Sequence, residues 1–107
     1  MDNFYGVLTG DLVKSSHMTP EQLQQIHNTL KTFEMEYGKT YMFSLDIFRG
    51  DAFQIICSLP EFMLQIAIHI RMLIMLCTPS VARYTFDARM SIAFGTVNEK
   101  YPDMEIR

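Results

Sequence analysis

Residues 39–57, KTYMFSLDIFRGDAFQIIC, decide the fold. Tyr41, Phe43, Leu45 and Ile47 fall on one face of an extended chain, and Met42, Ser44, Asp46 and Phe48 fall on the other. Gly50-Asp51 interrupts this alternation, and Ala52 to Cys57 resumes as an apolar run. The stretch therefore predicts a hairpin, with strand 2 over 39–49 and strand 3 over 52–57, although its tip is not a clean two-residue type I′ sequence.

Working upstream, Leu23, Ile26, Leu30, Phe33 and Tyr37 recur at helical spacing and form one apolar stripe. Thr19-Pro20-Glu21-Gln22 supplies an N-cap, a proline at the first helical position and a capping-box glutamine, and Gly38 is the expected stop. Before that helix, residues 4–9 read as a buried strand 1 ended by Gly10. Downstream of the hairpin, Ser58-Leu59-Pro60-Glu61 predicts a second capping box opening a helix to about Cys77, with Pro79 just beyond it. Asp87 to Val97 alternates again as strand 4. The order β-α-β-β-α-β is the split βαβ pattern, an α+β ferredoxin-like domain with a four-stranded antiparallel sheet and two helices on one face. A right-handed crossover leaves a gap between strands 1 and 2, and strand 3 returns into it. We expect one domain over residues 1–97 and a short polar tail over 98–107.

A chain of 107 residues, 49% of them hydrophobic, has enough apolar surface for one core. Its net charge of −3 argues against a broad phosphate-binding surface, and Phe48 is the one clear aromatic on the open sheet face, so nucleic-acid binding is not expected. Cys57 and Cys77 both lie inside apolar runs and read as reduced core thiols. No basic segment precedes an apolar one at the N-terminus. The apolar stretch from Leu59 to Cys77 is broken by Pro60, Glu61, Gln65, His69 and Arg71, which a membrane span tolerates poorly. Together these features predict a cytoplasmic protein that does not enter a membrane.

Two Gly-Asp pairs, Gly10-Asp11 and Gly50-Asp51, mark the place where chemistry is expected. In the predicted topology strand 1 ends at the edge where the hairpin turns, which brings Asp11 and Asp51 close together. Adjacent carboxylates repel, and a divalent cation relieves that repulsion. Oxygen ligands suit Mg²⁺ or Mn²⁺, commonly held by one or two carboxylates plus substrate phosphates. Lys14, Ser15 and Ser16, on a loop leading to a helix N-terminus, offer donors for a triphosphate. The competing reading is that both aspartates only solvate turns.

Residues 7–13 (VLTGDLV), 48–54 (FRGDAFQ) and 87–95 (DARMSIAFG) together resemble the SatD-like family and, more distantly, the palm-type catalytic domain of class III nucleotidyl cyclases. The resemblance implies that Asp11 and Asp51 hold metal together with the backbone carbonyl of Leu12. It also implies binding of a nucleoside triphosphate, with metals stabilising the attacking and leaving oxygens of an in-line displacement. Two cyclase features have no counterpart. Ile47 stands where a base-reading lysine is expected, and the helix carrying a catalytic asparagine and arginine would lie beyond strand 4, where residues 98–107 remain. Arg49 and Lys14 are the nearest cations. The reading therefore ends at binding, with no catalytic residue assigned and turnover open.

The second helix is apolar on more than one side, since Leu64, Ile68, Met72, Met75 and Leu76 share or border the sector of its polar residues. It predicts either a subunit interface, as in a homodimer, or a core helix beneath the 78–86 loop. His27 is placed on the polar side of the first helix, and Arg89 is expected to pair with Asp46, with a phosphate contact as the alternative. The alternative to the cyclase-like reading is a non-catalytic regulatory or protein-interaction module of the same fold.

Overall fold

In the computed structural model, which describes residues 4–96, a hairpin forms over residues 43–57, while residues 39–41 belong to the preceding helix. The elements are β1 (Phe4–Leu12), α1 (Pro20–Tyr41), β2 (Phe43–Phe48), β3 (Ala52–Cys57), α2 (Met63–Leu76) and β4 (Ala88–Thr96). The sheet order is β2-β3-β1-β4 with every neighbouring pair antiparallel, so β3 does fill the gap between β1 and β2. This is the α+β ferredoxin-like arrangement. The predicted tail, 98–107, lies outside the described residues.

Period-two alternation sorts β1 cleanly. Leu8, Gly10 and Leu12 are buried toward the helices, while Thr9 and Asp11 face the open side of the sheet. The core is filled by Leu8 and Ile55 from the sheet, Ile26, Leu30 and Phe33 from α1, and Ile66, Ile70 and Ile74 from α2. Burying each such side chain contributes roughly 1.5–3 kcal/mol. Gly10 is required here by packing, because a Cβ at this position would collide with the ring of the buried Phe53.

The edge strand β2 is finished by α1. The Leu45 N–H donates to Glu34 Oε2 at 2.9 Å, and Lys31 Nζ donates to the Leu45 carbonyl at 3.1 Å. Backbone groups of an edge strand are thereby satisfied by helix side chains instead of being left to another chain. At the opposite edge, no strand pairs with the outer side of β4 among the described residues.

Four boundaries differ from the sequence reading, the first being strand 2, which begins at Phe43 instead of Lys39 because residues 39–41 continue the helix. Strand 1 does not end at Gly10 but runs to Leu12, because Asp11 and Leu12 still pair with Arg89 and Ala88. Helix α1 does not stop at Gly38 but reaches Tyr41. Gly38 is buried where a Cβ would sit 3.1 Å from the Phe43 carbonyl oxygen, so its small size serves close approach rather than termination. The left-handed C-cap falls instead to Met42 (φ 57°), whose carbonyl accepts from both the backbone N–H and the hydroxyl of Ser58. That hydroxyl is thus not an N-cap, and no second capping box forms. Residues Pro60–Phe62 make a 3-10 turn before α2 begins at Met63.

Candidate functional site

The β1–β3 register places Asp11 opposite Ala52, next to the hairpin tip. The Leu12 N–H donates to the Asp51 carbonyl at 2.8 Å, so Asp11, Leu12 and Asp51 are brought together as the topology predicts. In the three-residue loop between Phe48 and Ala52, Arg49 (φ 53°) and Gly50 (φ 82°) both take positive φ, with arginine in a conformation that glycine or asparagine usually fills. The tip is held at several points. His27 Nε2 lies 2.6 Å from the Gly50 carbonyl, and Ser15 Oγ donates to Asp51 Oδ2 at 3.0 Å.

Asp11 turns onto the open face of the sheet. Its Oδ1 is buried and accepts no hydrogen bond, although the side chain as a whole is 48% exposed. The nearest opposite charge is Arg89 Nε at 3.8 Å, beyond hydrogen-bonding distance. A buried carboxylate oxygen without a donor is a poor resting state in water and a good ligand for a hard cation. Asp11 borders an open cleft of about 520 Å³ lined also by Thr9, Phe48, Arg49, Arg89 and Ser91. Its chemistry is one carboxylate flanked by two guanidinium groups, with a second carboxylate on the adjoining turn. Among the described residues no group of three or more His, Cys, Asp or Glu side chains is set to hold a metal ion, so a cation here would complete its shell with backbone, water or phosphate oxygens.

Other expected site residues disperse. Lys14, itself left-handed at φ 56°, places its ammonium 5.0 Å from the centre of the Tyr84 ring, on a different cleft from Asp11. Ser16 is exposed in the 3-10 turn Ser15–His17. The amides opening α1 are partly closed to an anion. Thr19 Oγ1 accepts from the Gln22 N–H, and Gln22 Oε1 accepts from the Thr19 N–H.

Arg89 does not sit beside Asp46. Asp46 lies on the edge strand β2 and Arg89 on the opposite edge strand β4, three strand spacings or about 14 Å apart. The signal that would have placed it is the β1–β4 register, in which Asp11 faces Arg89 directly. His27 is half-buried and tied to the hairpin rather than lying idle on a polar face. Nothing in helical periodicity could have found that contact, because it depends on how α1 crosses β3.

No protein-family model matches the chain, and no curated protein matches it. Solved structures do. The guanylate cyclase domain of RhGC from Catenaria anguillulae, determined with GTP, superposes with a TM-score of 0.63 at 16% identity over 90% of this chain and 58% of that one. The dimeric guanylyl cyclase domain of the RhoGC fusion protein from Blastocladiella emersonii gives 0.62 at 16% identity over 89% and 58%. The adenylyl cyclase CyaB from P. aeruginosa gives 0.58 at 15% identity over 90% and 58%. The chain therefore has the fold of nucleotidyl cyclase domains and spans a little under three fifths of the length of these structures.

Proposed function

We propose that this chain is a cyclase-like domain, akin to the SatD-like proteins, that binds Mg²⁺ or Mn²⁺ through Asp11, Asp51 and the Leu12 carbonyl. The observation carrying this reading is the buried, donorless Oδ1 of Asp11 beside a hairpin that presents a second carboxylate. A bound cation would supply a positive centre for the phosphates of a nucleoside triphosphate. Arg49 and Arg89, on the same cleft, supply donors for those phosphates, and Arg89 would exchange its long contact with Asp11 for them. Lys14, Ser15 and Ser16 stand further back. Catalytic turnover is not part of the proposal, because no residue here is assigned to activate a ribose hydroxyl. The two buried thiols, Cys57 and Cys77, suit a cytoplasmic setting. Among the described residues no helix is long and apolar enough to cross a membrane.

The test is a thermal-shift titration with Mg²⁺ or Mn²⁺ and each of the four nucleoside triphosphates, on wild type, Asp11→Ala and Asp51→Ala. Stabilisation that rises with ligand and is lost in both variants is the expected result. Folded variants that shift as wild type does would remove the site assignment.

A second reading is favoured by a separate observation. Leu64, Ile68, Met72 and Leu76 are each more than half exposed along α2, a pattern suited to a subunit interface in a homodimer or to another protein partner. Ile68→Lys with Met72→Lys should convert a dimer to a monomer in sedimentation. A wild type that sediments as a monomer at every concentration would remove the homodimer.

A further inference from the structure

We infer that His27, assisted by Ser15, is a positioning residue that sets Asp51 for cation binding; the inference rests on the cation site proposed above. Two peptide planes flank the Cα of Asp51. The Gly50–Asp51 plane is held by His27 Nε2, 2.6 Å from the Gly50 carbonyl. The Asp51–Ala52 plane is held by the Leu12 N–H, which donates to the Asp51 carbonyl at 2.8 Å. The carboxylate itself accepts from Ser15 Oγ at 3.0 Å. Backbone on both sides of one residue and its side chain are thus tied to three different segments: α1, the end of β1, and the turn that follows β1.

A hairpin turn with no task beyond reversing the chain does not need this. The turn is also not at rest by itself, since Arg49 holds φ 53°, a left-handed conformation that costs a non-glycine residue on the order of 1 kcal/mol. Left untied, the tip would relax, and Asp51 would move with it. The anchor for the His27 tie is rigid, because its neighbour Ile26 is fully buried in the core. The imidazole donates through Nε2–H, so a neutral ring must carry its proton there, leaving Nδ1 as the acceptor. Outer-shell hydrogen bonds of this kind orient metal-binding carboxylates, and their removal typically weakens metal binding about 10-fold or more.

The experiment measures Mn²⁺ affinity from the free-ion electron paramagnetic resonance signal. Wild type is compared with His27→Phe, which keeps an aromatic ring without the donor, and His27→Gln, which restores an N–H donor. Amide hydrogen exchange at Leu12, in metal-free protein, reports the tip without any ligand. His27→Phe should weaken Mn²⁺ binding about tenfold and speed Leu12 exchange, and His27→Gln should recover most of both. Ser15→Ala, on a surface turn, tests the same arrangement should His27→Phe fail to fold, and should weaken Mn²⁺ binding several-fold with Leu12 exchange unchanged. Wild-type Mn²⁺ affinity in folded His27→Phe and in Ser15→Ala, with binding still lost in Asp11→Ala, would overturn the inference and leave the cation site standing. Equal loss of affinity in His27→Phe and His27→Gln would also overturn it, because the donor would then not matter. Absence of Mn²⁺ binding in wild type would overturn the cation site and this inference with it.

Discussion

Helices α1 and α2 lie on the same face of one sheet and present opposite surfaces to the outside. The outward side of α1 is polar, with Gln24, Gln25, Asn28, Thr32 and Glu36 along it and Met35 as the exception. Two of its side chains, Lys31 and Glu34, reach down to finish the edge of β2. The outward side of α2 carries Leu64, Ile68, Met72, Met75 and Leu76, which fall within roughly 120° of one another at 100° per residue. Beside it, the outer edge of β4 meets no strand among the described residues. One half of the molecule is thus completed by its own side chains, while the other leaves an apolar helix face exposed among the described residues. A monomer seldom exposes a contiguous apolar stripe of this length without a partner.

The contrast can be broken most sharply within α2 itself. Ile70 is fully buried and Ile68 is 53% exposed. In the monomer, Ile70→Ala should lower unfolding stability by about 2–5 kcal/mol and Ile68→Ala should change it by less than ~0.5 kcal/mol, read from urea denaturation. Equal effects would mean that the exposed face is covered. Next in size are two glycines on paired strands. Gly10→Ala drives a Cβ into the Phe53 ring and should cost about 1–3 kcal/mol, whereas Gly95→Ala on β4 meets nothing within 4 Å and should stay within ~0.5 kcal/mol. Glu34→Ala, which strips the Leu45 N–H of its partner, should cost about 1 kcal/mol and speed exchange of that amide.

The smallest effect lies where α2 meets the start of β4. Arg71 donates from Nε and Nη2 to the two carboxylate oxygens of Asp87, each at 2.9 Å, and this holds the Asp87 carboxyl below the usual carboxylate range. A depressed folded value stabilises the native state above about pH 4, the ordinary range of an unfolded aspartate, and that stability is lost as pH falls through the folded value. Arg71→Ala should therefore melt slightly below wild type at neutral pH, and the two curves should converge in acid. A difference that persists at pH 2 would assign the effect to the arginine's stem instead of its charge.

Strand order, helix placement and the meeting of Asp11 with Asp51 were legible because each follows from periodicity and one chirality rule. The Thr19 capping box was legible because it is local. What escaped depends on distance through space. Gly38 looks like a stop in sequence, and only the approach of Phe43 shows that it is a spacer. Ser58 has the identity and spacing of an N-cap, yet Met42 takes both of its donors. Arg89 was assigned to the wrong carboxylate because charge pairing across a sheet needs the register, and His27 was left idle because its partner is a backbone carbonyl. The approach of the residues Asp11 and Asp51 was readable from the order of elements; the groups that hold the hairpin tip required the geometry of their crossing.

The pairing of β1 with β4 joins the two ends of the described chain, from Leu12 opposite Ala88 to Phe4 opposite Thr96. Contacts among α1, β2 and β3 close over far shorter loops, such as the 14 positions between Lys31 and Leu45. Loop-closure entropy predicts that the helix–hairpin unit assembles early and that β4 docks late. Substitutions in α1 should then slow folding, and those along β4 should speed unfolding, a division that chevron plots of Ile26→Val and Ile92→Val would separate. On that expectation the strand that completes the Asp11 cleft with Arg89 docks last and detaches first.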